Sequence, residues 1–383
     1  MSLAPLREFQ RDLFTEVFEF MEPDSLHQCR SGLRTEIYRK MSAEGLDALL
    51  VTDLPTIRWL TGFSGSNAKL LLLGGKTVLF TDFRYQEQVK QETSGIATVI
   101  LKDALATELA SGKWQLGSRM ALQADHVTWQ EMRQLSEKLG NREFTPVSSF
   151  FDEFREIKHI DELDRMRRAV ALSETVLEAV IGMIGPGVTE IDIAAEISYR
   201  HRKLGAEGDS FDPIVAGGAR GAMPHAKPSS ATFEPGTLIV IDMGCIVDGY
   251  ASDQTRTVAF GKVSDEQRKF YRIVQQAQQL GIDAAKAGMA ARDLDAEVRN
   301  FIIAAGYGEA FGHGLGHGVG VEVHEAPRVG TASTGTLREG AVFTIEPGIY
   351  LPGRFGVRIE DMVTLGPNGA EPLQRFTKEL IEL

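Results

Sequence analysis

The chain has 383 residues, a length that predicts two domains. Of these residues, 43% are hydrophobic and 25% are charged, a composition that is typical of a folded protein and argues against disorder. Its 53 acidic residues outnumber its 41 basic residues and give a formal net charge of -12, which argues against binding to nucleic acids or anionic membranes. The apolar stretches are far shorter than the roughly 20 residues of a membrane helix, so a membrane-spanning segment is not expected.

Residues 1–29 precede the first α/β pattern and are interpreted as an N-terminal extension. They lack the apolar core of a secretory signal. The chain has only two cysteines, Cys29 and Cys245, so a disulfide framework is not expected and a cytoplasmic location fits best. The apolar residues of the extension are compatible with one more helix that packs on a domain or a partner. These residues are Phe9, Leu13, Phe14, Val17, Phe18 and Phe20.

Residues 30–155 alternate short apolar runs with helical patterns, which predicts an N-terminal α/β domain. We expect a strand over 46–52, a hairpin over 69–80 that turns at two glycines, and a polar-faced helix over 82–93. A Phe-rich, charged stretch follows, and a second domain is predicted over residues 156–383.

The second domain contains an internal repeat. The segment 187–197 aligns with 288–298 at a constant offset of 101, and 236–242 aligns with 340–346. A third match places a glycine four residues before an acid: Gly249 and Asp253, then Gly356 and Glu360. Three matches in register, with offsets that grow only from 101 to 107, favour duplication over chance. Each copy is therefore predicted to fold as helix, helix and hairpin, with a carboxylate on each arm of the hairpin.

The first predicted hairpin has its turn at Asp248–Gly249, a dipeptide that favours a two-residue turn. Such a turn places position 242 opposite position 255. Because side chains alternate along a strand, Asp253 then lies on the same face as Asp242. The two carboxylates are diagonal neighbours that a bridging cation can join.

The second predicted hairpin repeats this arrangement with Glu346 and Glu360 around a loop over 352–355. Arg358 lies on the same face as Glu360 by the same alternation. Four carboxylates that converge in a strand-rich core must either take up protons or surround cations, because unpaired buried charge is very costly. Bound cations are the simpler explanation.

A fifth ligand is expected from residues 312–325, where His313, His317 and His324 lie among glycines. The glycines allow the backbone to approach a crowded site closely. Three of the eight histidines of the chain occur within this short segment, which is rarely the result of core packing alone. A phosphate-binding loop is not supported, because no glycine-rich phosphate motif follows a strand here.

Five separated motifs resemble the creatinase/aminopeptidase P/prolidase group, a metallopeptidase family with the pita-bread fold. The motifs are Met223-Pro-His225, Ile241-Asp242-Met-Gly244, His313-Gly-Leu-Gly-His317, Ile345-Glu346-Pro-Gly348 and Val357-Arg358-Ile-Glu360-Asp361. The resemblance covers essentially the whole chain after residue 30. Within the group, the sequence resembles bacterial Xaa-Pro peptidases most. It implies a mixed α/β (α+β) protein with a creatinase-like N-terminal domain and a C-terminal pita-bread domain that contains a pseudo-two-fold repeat.

The resemblance implies a dinuclear metal site with five protein ligands. Asp242 would bind one metal, Asp253 and Glu360 would bridge both, and His317 and Glu346 would bind the other. Two metals about 3.5–4 Å apart lower the pKa of a shared water and so produce hydroxide at neutral pH. Glu346 is the candidate proton shuttle.

The resemblance also implies that His225, His313 and His324 contact the substrate or take part in catalysis. Tyr350 and Arg358 would lie close to them. Arg358 either orients a bridging acid or makes an ordinary salt bridge. Which histidine stabilises the oxyanion is open at this point.

The oxygen-rich ligand set favours a hard divalent ion, so Mn²⁺ is the first choice, with Co²⁺ or Zn²⁺ as substitutes. The family implies short proline-containing peptides as substrates and a homodimer, in which the N-terminal domain narrows the cleft and pairs the subunits. Whether the enzyme is an Xaa-Pro dipeptidase or an Xaa-Pro aminopeptidase is open. In the N-terminal domain, Trp59 and Phe63 are interpreted as core residues.

Two other functions occur on the same fold. One is a metal-independent amidinohydrolase of the creatinase kind, and the other is a non-catalytic module that binds peptides or proteins. In those relatives the ligand acids are replaced, whereas all five positions here hold side chains that can bind a metal. A purely structural cation site is disfavoured because the neighbouring histidines exceed what such a site needs.

Overall fold

The computed structural model describes residues 23–140 and 142–383. The helix considered for the N-terminal extension, with its apolar residues from Phe9 to Phe20, lies outside the described residues. The chain forms two compact units that divide between Val147 and Ser148.

The first unit is built on a six-stranded sheet in the order β4-β3-β2-β1-β5-β6. The strands are β1 (Ala48–Val51), β2 (Lys69–Leu73), β3 (Lys76–Thr81), β4 (Ala97–Ile100), β5 (Arg119–Gln123) and β6 (Glu143–Val147). The helices are α1 (Pro23–Ala43), α2 (Leu54–Thr61), α3 (Gln88–Glu92), α4 (Leu105–Leu109) and α5 (Trp129–Leu139). The central strand β1 is buried along its whole length, which explains its continuous apolar sequence.

The predicted strand and hairpin of this unit are confirmed as β1 and as the β2–β3 pair. Gly74 and Gly75 have φ values of +53° and +79°, as a two-residue hairpin turn of this kind requires. Trp59 and Phe63 are 6% and 1% exposed, which confirms that they belong to the core.

The single helix predicted over 82–93 is wrong. The segment contains a 3₁₀ turn at Phe83–Tyr85 and then the separate short helix α3. The Asp82 carboxylate accepts hydrogen bonds from the Arg84 backbone N–H and from its guanidinium. This local pairing stabilises a turn where the apolar pattern alone indicates a continuous helix.

The second unit contains five further described helices: α6 (Asp152–Arg155), α7 (Ile160–Ile181), α8 (Glu190–Lys203), α9 (Asp265–Ala284) and α10 (Ala291–Ala304). Both α8 and α10 have 14 residues, and their first residues are 101 positions apart (291 − 190 = 101). The aligned glycines Gly187 and Gly288 have similar positive φ values, +79° and +86°. Helices α8 and α10, with the glycines before them, therefore agree with the predicted repeat.

The strands of this unit form four sheets, in the orders β12-β9-β8, β11-β10-β7, β14-β13-β15-β18-β19 and β16-β17. In chain order they are β7 (Gly208–Asp209), β8 (Ile214–Gly217), β9 (Thr237–Met243), β10 (Cys245–Val247), β11 (Tyr250–Ala251), β12 (Gln254–Phe260), β13 (Gly316–Gly318), β14 (Glu325–Val329), β15 (Val342–Ile345), β16 (Gly348–Leu351), β17 (Phe355–Arg358), β18 (Asp361–Gly366) and β19 (Gly369–Pro372).

The predicted register of the first hairpin is confirmed, because Asp242 pairs with Thr255. Asp248 and Gly249 both have positive φ, +48° and +82°, as the predicted turn requires. The arms are nevertheless not continuous strands. Each breaks once, at Gly244 and at residues 252–253, so that the tip and the base of the hairpin belong to different sheets.

The second hairpin breaks in the same way. Its base is the β15–β18 pair and its tip is the β16–β17 pair. Glu346 and Glu360 occupy the gaps between base and tip. Neither arm of the second hairpin is therefore a continuous strand, and the backbone leaves the ladder at the two carboxylates.

Among the described residues, no helix is both long enough and apolar enough to cross a membrane.

Candidate metal centre

Three of the predicted ligands form a cluster inside the second unit. Asp253, His317 and Glu360 each offer one ligand atom, and these atoms all lie within 4.8 Å of one another. Asp253 precedes β12, His317 is the middle residue of β13, and Glu360 precedes β18. Three segments that are distant in sequence thus meet at one point, as a metal site requires.

Glu346 and Asp242 complete the predicted set of five. The His317 Nε2 atom lies 3.3 Å from Glu346 Oε1 and 3.6 Å from Asp253 Oδ2. Asp242 and Glu346 both act electrostatically on the carboxyl groups of Asp253 and Glu360. The structure therefore brings all five predicted ligands together.

The carboxyl groups of the cluster repel one another. Burial, and then repulsion by the neighbouring carboxylates, raises the pKa of Asp253 and of Glu360 well above the usual range. Burial also raises the pKa of Asp242, although Arg358 opposes this shift. For Glu346, burial would also raise the pKa, but hydrogen bonding and attraction to His317 outweigh burial and lower the pKa.

The donor set fits divalent cations. The Asp242 Oδ1 atom is buried and has no hydrogen-bond partner in the described structure, although buried carboxylate oxygens are normally paired. A cation at this point would satisfy that oxygen and relieve the repulsion among the acids. The arrangement is therefore that of a metal centre with mainly oxygen ligands and one imidazole.

The orientation of His317 suits a ligand. Its Nδ1 atom is 3.1 Å from the Gly318 carbonyl oxygen and donates to it, which leaves Nε2 facing the carboxylates. Burial opposes protonation of His317, but the hydrogen bond and attraction to Glu346 outweigh it and raise the pKa, so Nε2 donates to Glu346 and would offer its lone pair to a cation once that proton leaves. A Cβ atom at Gly316 would lie 1.9 Å from the Thr344 carbonyl oxygen, and one at Gly318 would lie 2.0 Å from the Ala326 carbonyl oxygen. The glycines on both sides of His317 are thus required by close backbone contacts.

The other predicted histidines lie around this cluster. The rings of His317 and His324 are 4.3 Å apart, and His225 acts electrostatically on both His313 and His324. Burial is the main cause that lowers the pKa of His313 and of His324. These two imidazoles are therefore neutral at pH 7.

Tyr350 and Arg358 connect the histidines to the acids. The Arg358 guanidinium donates from Nη2 to Asp242 Oδ2 at 2.6 Å and from Nη1 to the Tyr350 hydroxyl at 2.8 Å. The Tyr350 oxygen lies 3.0 Å from His313 Nε2. Burial raises the pKa of Tyr350 to about 12, so the phenol stays protonated and its hydroxyl donates a hydrogen bond to His313 Nε2.

Two neighbours of the ligands were missed at the sequence level. The Thr255 hydroxyl donates to Glu360 Oε2 at 2.6 Å and accepts from Arg358 Nε at 2.9 Å. The Arg256 guanidinium donates to the Glu360 carbonyl oxygen and pairs with Asp361 at 2.7 Å. The predicted register contained a signal for Thr255, because it placed this residue opposite Asp242. Arg358 thus contacts Asp242 directly and reaches Glu360 through Thr255.

Family models match both halves of the chain. The model described as metallopeptidase family M24 matches residues 164–367, and the model of the creatinase/prolidase N-terminal domain matches residues 34–157. A curated relative, the Xaa-Pro dipeptidase of Pyrococcus horikoshii, is 35% identical over 347 residues, which cover 90% of this chain and 97% of that protein.

Solved structures agree with these matches. The Xaa-Pro dipeptidase from Bacillus anthracis superposes with a TM-score of 0.88 at 36% identity, covering 92% of this chain and all of that one. The X-Pro aminopeptidase from Thermotoga maritima has a TM-score of 0.82 at 37% identity, covering 88% of this chain and 98% of that one.

Proposed function

Because the chain belongs to metallopeptidase family M24, we propose that it hydrolyses the peptide bond before proline in short peptides, as an Xaa-Pro dipeptidase or an Xaa-Pro aminopeptidase. The observation that carries the proposal is the convergence of Asp253, His317 and Glu360 on one point, with Asp242 and Glu346 beside them. The relatives named above support the substrate class.

The family assignment confirms the predicted group and the predicted fold class. A creatinase-like α/β domain precedes a pita-bread catalytic domain, as in the Xaa-Pro dipeptidase structure. A creatinase-like amidinohydrolase and a non-catalytic binding module are not favoured, since every ligand position keeps a side chain that can bind a metal.

In the proposed site two divalent ions are held by five side chains. Asp242 would hold one ion, His317 and Glu346 would hold the other, and Asp253 and Glu360 would hold both. Mn²⁺ suits the oxygen-rich set best, and Co²⁺ or Zn²⁺ can replace it. When bound, such ions lower the pKa of a coordinated water and stabilise negative charge on the scissile carbonyl oxygen.

Glu346 is proposed to accept the proton of the attacking water. Its Oε1 atom faces His317 Nε2 and the Thr344 hydroxyl, at 3.3 and 3.2 Å, so Oε2 is the atom that we assign to proton transfer. Beside bound cations this carboxylate would be ionised at neutral pH and could accept a proton through Oε2.

The neighbouring histidines are proposed to orient the peptide. Both nitrogens of His313 are engaged, with Gly314 and with Tyr350, so this imidazole aligns the Tyr350 hydroxyl. His225 and His324 are exposed at the site, and we assign to them the hydrogen bonds to the oxyanion or to the substrate backbone. The proposal also includes a homodimer in the cytoplasm, which the family resemblance and the cysteine-poor sequence support.

The proposal is tested by assaying purified protein, with Mn²⁺, Co²⁺ or Zn²⁺, on Ala-Pro, Ala-Pro-Ala and longer Ala-Pro peptides. We expect release of the residue before proline in the presence of metal and its loss after treatment with EDTA. Cleavage confined to the dipeptide would assign a dipeptidase, and cleavage of longer peptides an aminopeptidase. A protein that hydrolyses none of these peptides with any of the three metals would contradict the proposal.

Asp253→Asn is the matched variant, because it removes the charge of a bridging ligand with little change of shape. We expect it to abolish hydrolysis, a loss of several orders of magnitude in kcat/KM, in a protein that still folds. Asp164→Asn is the control, since Asp164 forms an exposed ion pair with Arg167 on α7. Near-normal turnover of Asp253→Asn would refute the bridging assignment.

A further inference from the structure

A buried ion pair lies on α10, in the helix that precedes the glycine- and histidine-rich segment. The Arg299 guanidinium donates to both carboxylate oxygens of Asp295, from Nε and from Nη2, at 2.8 Å in each case. The Asp295 side chain is fully buried and that of Arg299 is 20% exposed. This two-point pairing fixes the plane and direction of the guanidinium.

The guanidinium also holds the backbone around Gly312. Arg299 Nη1 donates to the Phe311 carbonyl oxygen at 2.9 Å, and Nη2 donates to the His313 carbonyl oxygen at 2.7 Å. Its carbon lies 4.3 Å from the centre of the Phe311 ring. The carbonyls on both sides of Gly312 are thus attached to a single side chain.

The carboxylate of the pair holds the other end of the same segment. Asp295 Oδ1 accepts a hydrogen bond from the Leu315 N–H at 3.0 Å. The Leu315 carbonyl oxygen in turn accepts from the Glu346 N–H at 2.9 Å. Residues 311–315 are therefore fastened at both ends, and His313 lies in the middle.

His313 needs such support because of its neighbours. Gly312 and Gly314 flank it, and glycine leaves the backbone with more conformational freedom than any other residue. The imidazole nevertheless has to meet the Tyr350 hydroxyl at 3.0 Å. Local backbone preference does not hold it there, whereas contacts from α10 do.

The repeat shows that this ion pair is not a general requirement of the fold. The positions equivalent to Asp295 and Arg299 in the first copy, at the offset of 101, are Ala194 and Ser198. Helix α8 has the same length as α10 and occupies the equivalent place in the first copy, but it lacks an ion pair at these positions. The pair belongs to the half of the domain that carries His313.

We propose that Asp295 and Arg299 are positioning residues that set the orientation of the His313 imidazole, and through it the Tyr350 hydroxyl, at the metal centre. The inference rests on the proposed function only in giving His313 a part in peptide hydrolysis.

The test uses Arg299→Lys, which keeps a positive charge beside Asp295 but cannot hold two carbonyl oxygens and a carboxylate in one plane. Arg200→Lys is the matched control. Arg200 forms the same i,i+4 pair with an acid, at 2.9 Å to Glu196, on the equivalent helix α8. Both variants are prepared as full-length protein loaded with Zn²⁺, which is diamagnetic.

The first readout is the NMR spectrum of the histidine Cε1–H groups, with the His313 signal assigned by its loss in His313→Ala. We expect Arg299→Lys to shift or broaden the His313 signal, to leave that of the buried His201 in place, and to preserve folding. Arg200→Lys should leave both signals unchanged. An unaltered His313 signal in Arg299→Lys would overturn the proposal, whether or not the protein is a peptidase.

The second readout is a double-mutant cycle on hydrolysis of Ala-Pro. Arg299→Lys should lower kcat/KM at least about five-fold in the wild-type background and hardly at all in the His313→Ala background. The affinity for Mn²⁺, measured by calorimetry, should not change, because Asp295 still holds Leu315. Equal losses in both backgrounds, or a fall in Mn²⁺ affinity that matches the loss of activity, would refute positioning of His313. A wild-type protein without activity would instead count against the proposed function, and the NMR readout would still decide this inference.

Discussion

Thr255 illustrates how one hydroxyl organises a charged site. It lies between Glu360, to which it donates, and Arg358, from which it accepts. Its side chain is fully buried. If the hydroxyl were removed, Glu360 and Arg358 would each lose a hydrogen bond that water cannot replace. Groups that hold a metal ligand in this way commonly change metal affinity by 10- to 100-fold when removed.

We expect Thr255→Val to weaken Mn²⁺ binding by roughly 10- to 100-fold and to lower the free energy of unfolding by about 1–3 kcal/mol. Thr255→Ser should restore most of the metal affinity, because serine keeps the hydroxyl. The measurements are calorimetric titration with Mn²⁺ and denaturant unfolding of the metal-free protein.

Thr257→Val provides the control for this prediction. Thr257 is equally buried and lies on the same strand, but its hydroxyl bonds to the backbone of Arg358 and not to a ligand side chain. The Thr257→Val protein should have a lower free energy of unfolding than wild type but the same affinity for Mn²⁺. Equal metal affinity in Thr255→Val and wild type would show that Glu360 does not depend on this hydrogen bond.

At the scale of elements, the loop that carries His225 is fastened to the start of α8. The Glu190 side chain is buried and accepts hydrogen bonds from the Gly217 N–H, from Arg220 Nε, and from both the N–H and the hydroxyl of Ser229. These partners lie on both sides of His225. One carboxylate thereby closes the loop that brings this histidine to the metal centre.

Glu190→Gln is expected to destabilise the protein by about 2–5 kcal/mol, since it turns an amide N–H₂ towards these donors and leaves Arg220 without its counter-charge. We also expect a lower kcat/KM on Ala-Pro with unchanged Mn²⁺ affinity, because His225 is not among the proposed ligands. Glu196→Gln on the same helix alters only a surface pair with Arg200 and should change neither quantity. Thermal unfolding and steady-state kinetics check both variants, and an equally small effect of the two would contradict the role given to Glu190.

The strand breaks are the element-scale feature that periodicity missed. Regular alternation placed Asp242 opposite Thr255 correctly, but it treated both arms of each hairpin as unbroken. Asp253, Glu346 and Glu360 all lie in gaps of the ladders. Interruptions of this kind redirect side chains and are frequent beside active sites. Their positions depend on neighbours far away in sequence, such as Gln374, whose side-chain amide donates to the Asp253 carbonyl oxygen at 2.7 Å.

At the scale of the whole molecule, the metals are expected to contribute to folding. Without them, several buried carboxylates face one another, and burial with mutual repulsion raises the pKa of Asp253 and of Glu360. A carboxyl group with a raised pKa binds protons more tightly in the folded state, so its ionisation as the pH rises destabilises the folded protein. Bound cations reverse this effect.

We therefore expect EDTA to lower the Tm, and Mn²⁺ at 100 times its Kd to restore about 2.7 kcal/mol of stability, which is a shift on the order of 5 °C or more. The difference in Tm between the Mn²⁺-loaded and metal-free protein should grow from pH 6 to pH 8, because protons compete with the metal for the ligands. Differential scanning calorimetry measures both. Identical melting curves with Mn²⁺ and with EDTA would be incompatible with this metal centre.

The sequence by itself determined the repeat, the register of the first hairpin and the four acidic side chains that meet at the candidate site, because these depend on turn chemistry, on the period of two along a strand and on motif spacing. The choice of His317 among three neighbouring histidines came from the resemblance to the family. Only the tertiary structure decided where the strands break, that Thr255 connects Glu360 to Arg358, and that Asp295 and Arg299 hold the segment of His313. Such contacts join side chains to groups that the fold brings close from elsewhere in the chain, and no local pattern encodes which donor faces which acceptor.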